Sequence, residues 1–249
     1  MTLFYIFVCI LGAVLGSFYN VIGLRVPEQV SIVRPPSHCP NCKRRLKAGE
    51  LIPVFSYVFL GGKCRACQTK ISPLYPAVEL AAACLFTYAA IRFGFTPALL
   101  PTLALISLLL IVFVSDISYM LIPDKIVLFF AALFVILRIF IPYVPWLDGI
   151  IGAAVGFGAL YFAAVVSRGS MGGGDIKLFA VLGFVLGYKG VLLAFFFSCL
   201  YGTLIGGVGM IIGKVKKGIP IPFAPFIGLG ALTAYFFGEK LLYWYFHLL

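Results

Sequence analysis

Eight acidic side chains serve the whole 249-residue chain: Glu28, Glu50, Glu79, Asp116, Asp124, Asp148, Asp175 and Glu239. Four of them, Glu79, Asp116, Asp124 and Asp175, stand in or at the ends of long apolar runs. A carboxylate in such a run is costly to bury and marks a functional site by default. Asp116 closes the uncharged run 93–115, which needs no carboxylate there. Asp175 follows Gly172-Gly173-Gly174, and a triple glycine lets backbone pass very near another group. Two aspartates brought together at one membrane edge form an aspartic-protease dyad. Close like charges cannot both ionise cheaply, so such a pair shares one proton. One carboxylate then activates water as a base, and the other protonates or polarises the scissile carbonyl. No Ser–His or zinc–His set competes, because His38 and His247 lie outside the core of the apolar runs. Structural readings stand beside the chemical ones. Asp124 follows Pro123 where the next apolar run opens, and a helix N-cap explains it. Asp175 suits an N-cap as well.

Four of the seven cysteines form two pairs, Cys39-Pro40-Asn41-Cys42 and Cys64-Arg65-Ala66-Cys67. Two such knuckles place four thiolates tetrahedrally around one Zn²⁺, and a structural zinc site is the reading preferred to a disulfide or a redox pair. The bases Lys43, Arg44, Arg45 and Lys47 beside it form a solvated face or touch anionic lipid headgroups. Cys9, Cys84 and Cys199 lie singly in apolar runs and read as small buried hydrophobes.

The elements that must carry these groups follow from the composition. Hydrophobic residues make up 63% of the chain and charged residues 11%, against about 25% charged in soluble proteins. A soluble globule, a disordered chain and a nucleic-acid binder are excluded. A membrane-spanning helix needs about 20 mostly apolar residues. Candidate spans are 1–24, 71–91, 93–115, 126–147, 149–167, 190–213 and 218–238, with a shorter one over 175–188. If all eight cross and the N-terminus is outside, 15 of the 19 basic residues fall in the cytoplasm. Only Arg92, Arg138, Lys189 and Lys240 fall outside. The expected fold is therefore an all-α polytopic membrane protein of about eight transmembrane helices, with both termini outside. Residues 1–24 are the first helix, 25–72 a small cytoplasmic zinc-binding insertion, and 73–249 a seven-helix membrane domain. Glycines spaced by four, such as Gly12 and Gly16 or Gly152 and Gly156, predict close helix packing within the chain.

These motifs resemble those of the type IV prepilin peptidases over nearly the whole chain. The resemblance rests on Gly16-Ser17-Phe18-Tyr19-Asn20-Val21 with Arg25-Val26-Pro27, and on the paired cysteine motifs. It rests also on Leu51-Ile52-Pro53, Tyr75-Pro76-Ala77-Val78-Glu79, Asp116 before Pro123, Gly172 to Lys177, and Pro222 to Phe226. The details are most similar to the Gram-positive competence branch. The resemblance implies a bacterial cytoplasmic-membrane enzyme that cuts the basic leader from prepilin or pseudopilin precursors at the cytoplasmic face. It implies Asp116 and Asp175 as catalytic residues. It also implies methylation of the new N-terminus from S-adenosylmethionine, although no residues for that cofactor are readable. Gly172, Gly174 and Lys177 then support the active-site loop. Pro222 and Pro225 either border the substrate cleft or simply begin a helix. Glu79, Glu28 or Glu50 is then a candidate to attract the basic leader, with Glu79 equally read as a packed structural acid; Asp124 is a secondary acid. The alternative is a transporter or channel with a structural zinc module, disfavoured by the lack of related halves. A presenilin-like protease is disfavoured by the cysteine module and the N-terminal motif.

Overall fold

The computed structural model describes residues 1–166, 172–213 and 221–248. Arg168, Lys214, Lys216 and Lys217, counted above among the cytoplasmic basic residues, lie outside the described residues. Among the described residues the regular structure is helical, with two isolated β-bridges and no strand. In chain order the helices are α1 (Thr2–Arg25), α2 (Phe55–Phe59), α3 (Leu74–Phe93), α4 (Leu99–Tyr119), α5 (Asp124–Phe140), α6 (Trp146–Val166), α7 (Gly173–Ile211) and α8 (Ala224–Leu248). Five of them, α1, α3, α4, α6 and α7, are long and apolar enough to cross a membrane. The protein is an integral membrane protein.

The chain divides into two compact units, Met1–Ser118 and Tyr119–Leu249. In the first, α1 shows what bilayer solvent does to a helix. Gly12, Gly16, Tyr19 and Gly23 are buried, whereas Leu3, Phe7, Ile10, Val14 and Phe18 are exposed. Leu3, Phe7, Ile10, Val14 and Phe18 face outward, where lipid removes them from water, and the glycines let α1 approach its neighbours closely. A Cβ on Gly12 would lie 2.7 Å from the Ala82 carbonyl oxygen, and one on Gly16 2.8 Å from the Glu79 Cα. The packing expected from the glycine spacing is therefore present, between antiparallel α1 and α3. Helix α4 runs parallel to α1: Tyr19 and Ser107 share a 2.5 Å hydrogen bond, and Gly23 packs on Val114. The C-terminal ends of α1 and α4 and the start of α3 thus lie at one end of this unit, which is where the cysteine module emerges.

In the second unit, α6 and α7 pack backbone to backbone where Gly152 meets Gly183 and Gly156 meets the Phe179 carbonyl. Helix α8 seats Gly230 on Ala194 and Ser198 of α7. Helix α7 is not continuous. Gly187 has φ 73° and ψ 175°, a left-handed φ that favours glycine, and it breaks the helix into arms 173–186 and 188–211. These arms correspond to the two segments, 175–188 and 190–213, expected from the sequence. Gly209 and Gly213 are also spaced by four. Gly213 lies beyond the end of α7 with open space around it.

Candidate active site and metal centre

The cysteine module is built from two turns of the same design. Cys39 donates its N–H to Arg44 and receives that of Lys43; Cys64 donates to Thr69 and receives that of Gln68. Lys43 and Gln68 both have φ 57°. The bridges His38–Arg45 and Lys63–Lys70 close the two turns in the same register. The Asn41 amide donates to the Thr69 hydroxyl at 2.8 Å and ties one knuckle to the other. The four sulfurs all lie within 4.8 Å of one another, with Cys39–Cys67 at 3.7 Å and Cys42–Cys64 at 4.0 Å. Four Zn–S bonds of about 2.3 Å in a tetrahedron separate the sulfurs by about 3.8 Å. The cluster thus fits a structural metal ion.

Ligation requires thiolates, and two of the four thiols are drawn toward that form. The Thr69 hydroxyl, with backbone N–H bonds, pulls Cys67 down to about 5. Backbone hydrogen bonds from Cys67 and Ala66 lower Cys64. Cys42 receives a lowering backbone bond from Arg44, but burial and the neighbouring thiols outweigh it and push it up to about 11. Four thiolates crowd one another, and a bound cation relieves that repulsion. Nearby, Glu50 accepts from Arg44 at 2.5 Å and from the Lys47 N–H at 2.8 Å, and these partners hold its carboxyl below the ordinary range. Its charge is therefore answered within the module.

Among the membrane acids, Glu79 is only 8% exposed. Its carboxylate accepts the Val54 N–H at 2.7 Å and also engages Ser17. It clamps the module and α1 to the second turn of α3. Asn20 works beside it, with its amide donating to the carbonyls of Gly16 and Tyr75. Asp116 lies in the last turns of α4 and is 6% exposed, at the module end of its unit.

Asp124 and Asp175 belong to the other unit, together at one end of it. The N-cap expected at Asp124 is not observed: Pro123 holds the cap position, and the Asp124 carboxylate instead accepts from Lys177 at 2.7 Å. A proline cannot continue a preceding helix, and its fixed φ suits the boundary, so the acid is displaced into the first turn. Asp175 likewise lies in a first turn, with its N–H on the Gly172 carbonyl at 3.1 Å and Gly172 as the N-cap. Gly174 is the residue of the triple glycine that packing requires, because a Cβ there would stand 2.8 Å from the Ile122 Cβ. Pro222 precedes α8 and Pro225 lies in its first turn, where a missing N–H breaks no helical bond.

At the opposite end of this unit lies a cluster that sequence reasoning missed. Arg138 of α5 is 1% exposed and stacks against the rings of Phe184, Tyr143 and Trp146. It donates to the Phe184 carbonyl, just before the α7 break. Asp148 accepts the Tyr188 N–H at 3.1 Å, just after it. The two charges therefore satisfy the backbone that Gly187 releases. The available signal was one arginine in an apolar run followed by an acid at the next helix start. Replacing Arg138 with alanine removes a charged hydrogen bond and three ring contacts. The expected loss is about 2–4 kcal/mol, read as a lower thermal midpoint in detergent.

Helices with lipid-facing apolar sides, buried carboxylates at their ends and a four-thiolate module define a polytopic membrane enzyme with a small metal-binding insertion. The model of the bacterial peptidase A24 N-terminal domain matches residues 10–93, and that of the type IV leader peptidase family matches residues 103–207. The chain belongs to the type IV leader peptidase family. It is 48% identical over 236 residues to a prepilin leader peptidase/N-methyltransferase of Bacillus subtilis, covering 95% of each chain. It is 33% identical to proteins of the same name from Stutzerimonas stutzeri and Pseudomonas aeruginosa, covering 93% of this chain and 90% of each of theirs. No solved structure matches it.

Proposed function

We propose that the protein is an aspartic endopeptidase that removes the leader from type IV prepilin-like precursors, including competence pseudopilins. The observation that carries this reading is the near full-length relationship to proteins named prepilin leader peptidase/N-methyltransferase. Asp116 and Asp175 are the catalytic pair. Asp116 offers a buried carboxylate on α4, and Asp175 opens α7 from a glycine turn. In the shared-proton state one carboxylate removes a proton from water, which attacks the scissile carbonyl. The other gives its proton to the carbonyl oxygen, and the tetrahedral species collapses as the leaving amine is protonated.

Lys177 supports the loop by its ion pair with Asp124, and Gly172 and Gly174 shape it. Gly174→Ala forces the start of α7 away from Ile122. An error near 1 Å at a reacting group costs up to about 10²-fold, so cleavage is expected to fall by about 10–10²-fold while the folded yield is kept. Pro222 and Pro225 border the substrate cleft in this reading, and Asp124 serves as a secondary acid. Glu79 acts as a clamp rather than a contact for the leader, since the Val54 N–H engages its carboxylate.

The metal is Zn²⁺, held by Cys39, Cys42, Cys64 and Cys67, and its role is structural. The relatives' name also implies methylation of the new N-terminus, with S-adenosylmethionine as donor. Two cavities border the module, of about 450 and 360 Å³, and the first is lined by no acid that could bind a ribose. The acid lining one of them, Glu50, is taken by Arg44 and is unavailable to a ribose. No methyl-transfer step is assigned to these residues. The topology has eight crossings, both termini outside, and the module and active site at the cytoplasmic face; 15 of 19 basic residues on that side support it. The test is incubation of the purified chain with a prepilin-like precursor and labelled S-adenosylmethionine. Mass spectrometry should show a released leader and a mature fragment one methyl group heavier. An intact precursor would overturn the reading.

A further inference from the structure

The module presents a surface that its own fold does not use. On α2, Phe55, Val58 and Phe59 share one face and are 65%, 68% and 84% exposed. Leu51 and Ile52, just before the helix, are 42% and 51% exposed. The opposite side is committed inward: the Tyr57 ring packs on Gly62, and its hydroxyl donates to the Ile71 carbonyl. Beside the apolar face lies an open cavity of about 360 Å³, lined by Ile52, Phe55, Phe59 and Leu60 with Lys47 and Arg65. Both cations are exposed, and the acid there, Glu50, is paired with Arg44. Between α1 and α3 the sequence carries eight basic residues, from Arg34 to Lys70, against two acids, Glu28 and Glu50.

The position of this face is fixed by a bond already described. Val54, the residue before α2, donates its N–H to Glu79 in the second turn of the membrane helix α3. Glu79 lies about 7 Å along that helix from its first residue, at 1.5 Å per residue. The clamp therefore holds the start of α2 beside the first turns of a membrane span, the depth of headgroups and upper acyl chains. An exposed phenylalanine face flanked by cations is the composition that interfacial helices use.

We infer that the α2 face (Phe55, Val58, Phe59), with Lys47 and Arg65, is a docking surface for the anionic lipid bilayer, into which the phenylalanines insert. Two arguments favour a membrane over a protein occupant. The Val54–Glu79 bond ties the start of α2 to the second turn of the span α3, where Leu80 is 54% exposed, and the uncompensated charge of the surface is positive, opposite to that of anionic headgroups. The cysteine module is then seated on the membrane rather than hanging free of it.

The experiment uses the full-length protein with Phe59→Trp, reconstituted in phosphatidylcholine or phosphatidylcholine/phosphatidylglycerol vesicles carrying bromine on the upper acyl chains. The emission of the unsubstituted chain, with its Trp146 and Trp244, is subtracted. The added indole should lose more than about half its emission to the bromines and be shielded from acrylamide, with stronger quenching in the anionic vesicles. Lys47→Gln with Arg65→Gln should abolish that lipid-charge dependence. Val58→Trp is a second reporter and should behave alike if Phe59→Trp folds poorly. Full acrylamide access with no bromine quenching would overturn the inference. So would shielding that arises only when a prepilin-like precursor is added, which would assign the face to a protein. Equal quenching in both lipids, unchanged in the double variant, would overturn the anionic docking.

Discussion

Asp116→Asn and Asp175→Asn should each lower leader cleavage by at least about 10³-fold, within the range that acid–base groups contribute. Asparagine keeps the size and polarity of the side chain but can neither accept the water proton nor carry the shared one. The pair works as a unit, so the double variant should be no worse than either single one; multiplied losses would indicate independent roles. Asp124→Asn gives the internal contrast. Its partner Lys177 is 53% exposed and Asp124 itself 68%, so the ion pair is worth about 0–1 kcal/mol. That variant should fold normally and keep residual cleavage. Single-turnover rates on equal amounts of folded protein make the comparison.

Cys64→Ser should remove about one zinc per chain and unfold the module. A segment this small has too little core to hold itself, and apparent structural zinc affinities in short peptides correspond to about 10–16 kcal/mol. The loss should stay local. The α1–α3 contacts at Gly12 and Gly16 and the α1–α4 contacts at Tyr19 and Gly23 involve no module residue, so the helices should remain packed. Elemental analysis reads the metal. Hydrogen exchange should show protection lost over residues 38–70 and kept in α3. A wild-type protein that is metal-free with its cysteines joined in disulfides would contradict both the site and the cytoplasmic placement of the module.

What the chain disclosed in advance follows from the range of the interactions involved. The helices and the cysteine cluster were legible because apolar runs and Cys-x-x-Cys spacing are local signals. A boundary near this break was legible through charge, since counting bases led to the expectation of 175–188 and 190–213 as separate segments. The structure locates that break at Gly187. The partners of Asp124 and Glu79 were not legible. Lys177 reaches Asp124 only because α5 and α7 start at the same end of their unit, and Glu79 finds Val54 only because the module folds back on α3. The Arg138–Asp148 arrangement escaped for the same reason. Each charge answers a backbone group released about 40 residues away along the chain. The kinship of the two knuckles was hidden too, because it lies in their turn geometry more than in their residues.

The most direct measurement of the central claim is the cleavage of a prepilin-like precursor by purified, zinc-loaded protein, with both fragments identified by mass. The account predicts that wild type releases the basic leader and that Asp175→Asn, equally folded and equally metallated, leaves the precursor intact. Cleavage by Asp175→Asn at the wild-type rate would contradict it.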